Sequence, residues 1–220
     1  MIWQEVSILK DIPLFTTEYG VASLVLREIP YRQEAYITMQ ATAQPEDLLQ
    51  ECIGFCRACG AEKIYAKGHE CLEKYPVHTG ILKMRGVAQV DESKVENLWP
   101  VTAETISQWR QFMNERLKDV DNAGTLEKQG EQEILETGGA YFVHKNGELL
   151  GGGWLVSGEL KLIASAVPGA GEWIMHTLMS LQPEQSIELD VASTNTRAIR
   201  LYERLGFVKT EELRRWYKVF

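Results

Sequence analysis

The sequence predicts an α/β (α+β) protein with a mixed, mostly antiparallel sheet flanked by helices, and an incomplete copy of that unit at the N-terminus. Three observations carry this reading. Residues 140–167 form three β-rich runs joined by Asn146-Gly147 and Ser157-Gly158. Asn-Gly suits the two positive-φ positions of a type I′ turn, so the runs reverse tightly and pair antiparallel. Residues 187–207 then read as a strand, a helix opened by Asn195 and a stop at Gly206. Finally, the order strand, helix, strand, short helix, strand fits 35–87 and returns, with a glycine loop replacing the Pro-led helix start, over 159–220.

Taken in order, Val21–Arg27 and Ala35–Gln40 are predicted strands. Pro45 starts a helix that runs to Cys59, with Gly60 as its stop. Ala61–Ala66 is a short strand, His69–Tyr75 a short helix closed by Pro76, and His78–Val87 a strand. Residues 88–97 are polar and acidic and are expected to be a linker, which sets the division at 1–87 and 88–220. Ile106, Trp109, Met113, Leu117 and Val120 form one helical stripe behind Thr102. A more polar helix is expected over Leu126–Leu135. After the three antiparallel strands, Pro168-Gly169-Ala170-Gly171 leads into a helix over Glu172–Leu181. Ile187–Val191 is a strand, Thr196–Leu205 a helix and Arg214–Phe220 a last strand.

The chain has 220 residues, 45% hydrophobic and 25% charged, with a net charge of −8. That composition excludes disorder as the main state, and no apolar run approaches the ~20 residues of a membrane span. The acidic balance argues against nucleic acid or anionic lipid as partners. The first residues lack the basic start and apolar stretch of a secretory signal, so a cytoplasmic location is expected. Cys52, Cys56, Cys59 and Cys71 are then expected to be thiols. The spacing Cys52-x-x-x-Cys56-x-x-Cys59 matches an iron–sulfur ligand set, but these positions share one helical face with Leu48 and Leu49, which reads as buried thiols. No metal is expected.

The segment Asn195-x-x-Ala198-x-x-Leu201-Tyr202-x-x-Leu205-Gly206-Phe207, followed by Leu213-Arg214-Arg215-Trp216-Tyr217, resembles the GNAT (GCN5-related) N-acetyltransferase family. The ribosomal-protein N-terminal acetyltransferases look closest. The resemblance covers roughly 88–220 and implies a GNAT fold, acetyl-CoA as co-substrate and direct transfer of an acetyl group to a primary amine on a small molecule or peptide. It also implies site residues. Tyr202 would be the general acid toward the thiolate, and Asp190, where the family often has glutamate, the general base. Glu188 shares the strand face of Asp190 by alternation. Asn195 and Arg204 would contact the co-substrate. The diphosphate loop would be Gly169, Ala170 and Gly171, with Ala166 where Gln or Arg is usual, and Ala166 or Val167 would supply the oxyanion N–H. Glu172 in the first helical turn would oppose a diphosphate. Trp99 and Trp109 are candidates for the acceptor wall. A non-catalytic GNAT-fold module that binds acyl-CoA or a protein stays open as the alternative, as does a homodimer.

Overall fold

The computed structural model describes residues 14–220. By contacts the described residues divide into two compact units, residues 14–81 with Glu212–Phe220, and Leu82–Glu211. Two long strands, β5 (Val77–Val87) and β11 (Val208–Lys218), have residues in both units.

In the N-terminal unit, β1 (Leu14–Thr17), β2 (Gly20–Val25) and β3 (Glu34–Thr42) pair antiparallel in succession. Helix α1 (Ile29–Arg32) is a single turn between β2 and β3. β4 (Lys63–Lys67) lies parallel to β3, in unbroken register from Glu34–Lys63 to Thr38–Lys67. A parallel neighbour requires a crossover, and helix α2 (Pro45–Ala58) supplies it. Pro45 pre-sets the helical φ, and Glu46 and Asp47 complement the positive end of the helix. The apolar face of α2 buries Leu48, Leu49, Cys52, Ile53 and Cys56 against Ala35, Ile37, Ile64 and Ala66. Each fully buried leucine or isoleucine there contributes ~1.5–3 kcal/mol of transfer free energy. Burial pushes the Cys52 thiol up to about 11 and Cys56 to about 12, so both are neutral, unreactive core groups. The C-terminal end of β11 completes this sheet, with Tyr217 opposite Ala66 and Lys218 opposite Tyr65.

The C-terminal unit is built on a meander. β6 (Asn97–Pro100), β7 (Ala140–Lys145), β8 (Glu148–Val156) and β9 (Glu159–Ser165) pair antiparallel in order. Asn146 and Gly147 have φ of 52° and 85°, and Ser157 and Gly158 of 48° and 79°, so both reversals use positive-φ turns. β10 (Ser186–Ala192) then lies parallel to β9. Helices α3 (Ile106–Leu117), α4 (Glu131–Thr137), α5 (Gly171–Met179) and α6 (Thr196–Arg204) complete the unit. Three consecutive glycines in β8 let helices seat closely on it. A Cβ on Gly151 would lie 2.1 Å from the Ala164 carbonyl oxygen and 2.6 Å from Ile174 of α5. One on Gly152 would lie 3.0 Å from the Trp109 indole nitrogen of α3, and one on Gly153 2.4 Å from Leu178 of α5. Trp109 is therefore fully buried, with its indole N–H donating to the Tyr141 carbonyl at 3.1 Å, and is a core residue, not an acceptor wall. Trp99, 61% exposed, stands on the outermost strand of this unit, β6.

Several elements differ from the sequence reading. β1, α1 and β6 are too short for side-chain periodicity to mark them. Residues 88–97 are not a free linker: they hold a 3₁₀ turn at Glu92–Lys94, and β6 begins at Asn97. Two polar side chains of α5 tie this segment down. His176 Nδ1 accepts from the Asp91 N–H at 3.1 Å, and Thr177 Oγ1 accepts from the Glu96 N–H at 3.0 Å. The helix expected over Leu126–Leu135 starts as a buried loop, which Asn114 clamps by hydrogen bonds to both the N–H and carbonyl of Leu126. β11 starts six residues earlier than expected, at Val208. Among the described residues no helix is long and apolar enough to cross a membrane.

Two tests follow from this packing. Gly151→Ala forces a methyl into a backbone carbonyl, and urea unfolding is expected to show a loss of roughly 1–3 kcal/mol or more. His176 is only 6% exposed, and burial first, then the nearby Lys94 charge, lowers its pKa below 6.5. The unfolded chain therefore takes up this proton before the folded one does. The stabilising contribution is complete above pH 6.5 and is lost as pH falls from there through the lower folded-state value. The urea midpoint should drop on acidification through this window, and His176→Gln should flatten that part of the profile.

Candidate functional site

The site grows from the end of the β9–β10 pairing. These strands are in register at Glu188–Glu159 and Leu189–Leu160 and pair no further. Lys161 is an extra residue on β9, because Leu160 faces Leu155 of β8 while Leu162 faces Trp154. Such a bulge bends its strand and redirects its backbone. Beyond it, β9 stays on β8 and leaves β10. Between the diverging strands lies a crevice of about 70 Å³, which opens beside a larger cleft of about 610 Å³ under α5 and α6.

The splay decides which backbone groups face the crevice. Ala166 donates its N–H to the Leu150 carbonyl at 2.7 Å, so it belongs to the β8 ladder and is not available as an oxyanion donor. In an antiparallel ladder, donors alternate between the two sides of a strand. Ala164 and Leu162 therefore also face β8, and the N–H groups of Ile163 and Ser165 point to the β10 side, where pairing has stopped. Ile163 lines both the crevice and the cleft. Composition and spacing could not reveal it, since the bulge at Lys161 shifts the alternation.

Tyr202 lines both spaces as well. It is 5% exposed, and its hydroxyl has no hydrogen-bond partner among the described residues. Burial alone raises its pKa well above 10.0, so the phenol keeps its proton throughout the neutral and mildly alkaline range. Asp190 lines the same crevice as Tyr202, together with Asp121 from the segment after α3. Asn195 caps α6 through its Oδ1, which accepts the Ala198 N–H at 3.1 Å, and it also lines both spaces. Glu188 is placed elsewhere. It pairs with Arg85, and with Lys83 at 3.6 Å, on β5, and it is not among the residues that line the crevice.

Ala166, Val167, Gly169, Gly171 and Arg204 line the larger cleft, as do Arg116, Arg197 and Arg200. Ala170 does not: it is buried in the core at 3% exposure. Gly169 has φ +86° and open space where a Cβ would stand, whereas a Cβ on Gly171 would meet Leu201 of α6 at 2.9 Å. Gly171 thus serves helix packing. The first intrahelical bond of α5 runs from the Ile174 N–H to the Ala170 carbonyl, so the Gly171, Glu172 and Trp173 N–H groups have no intrahelical acceptor. Lys94 offsets the Glu172 charge from 2.6 Å and, with the Arg204 charge adding, holds its carboxyl below the usual carboxylate range. That opposition to an anion was read from sequence without its counter-ion. Among the described residues, no three His, Cys, Asp or Glu side chains gather to hold a metal.

No protein-family model and no curated protein matches the sequence. Solved structures do match. A functionally unknown conserved protein from Staphylococcus epidermidis is similar over 96% of this chain and 94% of its own, with 12% identity and a TM-score of 0.55. A GCN5-related N-acetyltransferase from Anabaena variabilis matches 90% of this chain and 58% of its own, with 9% identity and a TM-score of 0.58. A GNAT-family acetyltransferase from Colwellia psychrerythraea matches 93% of this chain and 84% of its own, with 15% identity and a TM-score of 0.51. At these identities the likeness is one of architecture, and the chain has the GNAT fold.

Proposed function

We propose that the protein is an acyltransferase that moves an acetyl group from acetyl-CoA to a primary amine, with the catalytic unit in the C-terminal part of the chain and an incomplete copy before it. The observation that carries this reading is the opened β9–β10 pair, into which a buried, protonated and unpartnered Tyr202 phenol and the Asp190 carboxylate both face. The same arrangement gives no special account of a ribosomal-protein substrate.

The larger cleft suits a coenzyme A diphosphate. Its lining offers the Gly169 turn, and the free N–H groups of the first turn of α5 stand beside it; Arg116, Arg197, Arg200 and Arg204 supply positive charge, and Lys94 neutralises Glu172. The bound thioester supplies the activated carbonyl. Asp190 accepts a proton from the acceptor ammonium, directly or through a water, and so leaves a neutral amine. The Ile163 N–H donates to the carbonyl oxygen as negative charge gathers there, and does so without reorganising, because the sheet already fixes its direction. Tyr202 gives its proton to the departing sulfur. On collapse the nitrogen, now carrying the acetyl group, gives up a second proton, which returns through water to the Tyr202 oxygen, and coenzyme A leaves as the thiol.

The N-terminal unit supports a different role for its copy. Its parallel pair β3–β4 stays closed over five residue pairs, and Glu46 at the start of α2 is ion-paired with Lys74. We expect no co-substrate at residues 43–47.

Acetyl-CoA should raise the melting temperature of the protein, since it would bind the folded state alone. Tyr202→Phe keeps the ring and removes only the proton, so kcat should fall by ~10²–10⁴-fold with little change in acetyl-CoA affinity. Release of free thiol and calorimetric titration would measure the two; unchanged turnover would remove Tyr202 as the acid. Because burial raises the Tyr202 pKa, the acid form is not lost on the alkaline side, and kcat with saturating amine should hold level up to about pH 10.

A further inference from the structure

We propose that Lys94 is a positioning residue for the acyl donor: it cancels the one carboxylate beside the phosphate-binding end of α5, and α5 itself holds it in place. This rests on the transfer reading above and deepens its account of the donor site. Among the described residues, Glu172 is the only acid on the lining of the larger cleft. It stands in the first turn of α5, where the Gly171, Glu172 and Trp173 N–H groups have no intrahelical acceptor. A carboxylate there competes with an anionic ligand for the same positive helix end. The Tyr202 hydroxyl marks the cleft independently as a ligand space, because that residue is more than nine-tenths buried, lines the cleft and has no partner for its hydroxyl among the described residues.

Lys94 reaches Glu172 from far away in sequence. Its ammonium lies 2.6 Å from the Glu172 carboxylate and 3.4 Å from that of Asp91. Two adjacent side chains of α5 fix the segment that carries it. His176 and Thr177 are buried in the helix face that also holds Ile174, Met175, Leu178 and Met179. Burying polar groups costs free energy unless they are hydrogen-bonded. Each of these two accepts a backbone N–H of the segment, His176 that of Asp91 and Thr177 that of Glu96. The Asp91 carboxylate accepts the Ser93 N–H at 3.1 Å and caps the turn over Glu92–Lys94. Lys94 is thus clamped on both sides. A lysine on a solvated face needs no such hold, whereas one that must keep a particular carboxylate neutral does. Without it, the phosphates of the donor would meet a bare Glu172.

The test is a calorimetric titration of the whole protein with coenzyme A and with inorganic diphosphate. Lys94→Met should weaken both ligands roughly five- to thirtyfold, and Lys94→Arg should bind them as the native protein does. Glu172→Gln alone should weaken neither ligand. Combined with Lys94→Met, it should restore affinity to within about twofold of native. A pair that only ties the segment to the helix predicts another pattern: Glu172→Gln would weaken binding as Lys94→Met does, and the double variant would not recover. Thr177→Val removes the acceptor for Glu96 at nearly constant volume, and it should weaken both ligands in the native background and not in Glu172→Gln. In turnover, Lys94→Met should raise the KM for acetyl-CoA and leave kcat unchanged. Full affinity in Lys94→Met, a loss in Glu172→Gln, no recovery in the double variant, or binding of neither ligand would overturn the proposal. Thiol release from acetyl-CoA in the presence of amines separates the two readings. The expected pattern with both ligands but no thiol release counts against acetyl transfer and leaves the role of Lys94 standing. Thiol release with an affinity indifferent to Lys94 does the reverse.

Discussion

The C-terminal unit depends on one interruption, the end of β9–β10 pairing after Leu160 and Leu189. A parallel pair normally satisfies its backbone groups on both strands, and groups left open in a protein interior are costly. Here the open groups line a space that reaches solvent through the larger cleft. The bulge at Lys161 is the local cause, since it bends β9 while the ladder to β8 continues through Ser165. The glycines of β8 are the necessary counterpart: they let α5 lie close against the strand that the bulge leaves behind. α6, capped by Asn195, then closes the other side and delivers Tyr202.

The two parallel pairs of the chain show how much this interruption matters. β3 and β4 hold five consecutive residue pairs, and the helix that joins them buries an apolar face of leucines, an isoleucine and thiols. That pair is a solid support. β9 and β10 hold two, and their open end collects a phenol, two carboxylates and a backbone donor. The same strand–helix–strand connection thus serves as core in one case and as a cleft in the other. β3 also carries one extra residue against β2, Gln40, but it lies beyond the last pair with β4, whereas Lys161 follows directly on the second pair of β9 with β10.

What the sequence made legible follows from where local chemistry decides structure. Asn146-Gly147 requires positive φ at both positions, so the hairpin could be read directly. Asn195 caps a helix whatever surrounds it, and the apolar stripe from Ile106 to Leu117 needs only a period to be recognised. Groups decided by distant partners could not be read. Glu172 looked like an obstacle to anions until Lys94, far away in sequence, was placed beside it. Glu188 shares the alternation of Asp190, but Lys83 and Arg85 hold it on β5. The Ala166 N–H seemed available because its acceptor, the Leu150 carbonyl, belongs to another strand. Asp121 carries no signal in sequence, since its place on the crevice comes from strands that follow it.

The pairing of Tyr217 and Lys218 with Ala66 and Tyr65 has a bearing on the order in which the protein is made. A ribosome releases the chain from its N-terminus, and β4 emerges long before β11. Throughout that interval the nascent N-terminal unit presents an uncovered strand edge with unsatisfied donors and acceptors, the kind of surface that invites pairing between neighbouring chains. Maturation of the first unit therefore waits on synthesis of the second. Slow translation through the later codons would prolong that exposure, and a holdase that shields β-edges near the exit tunnel would shorten its consequences.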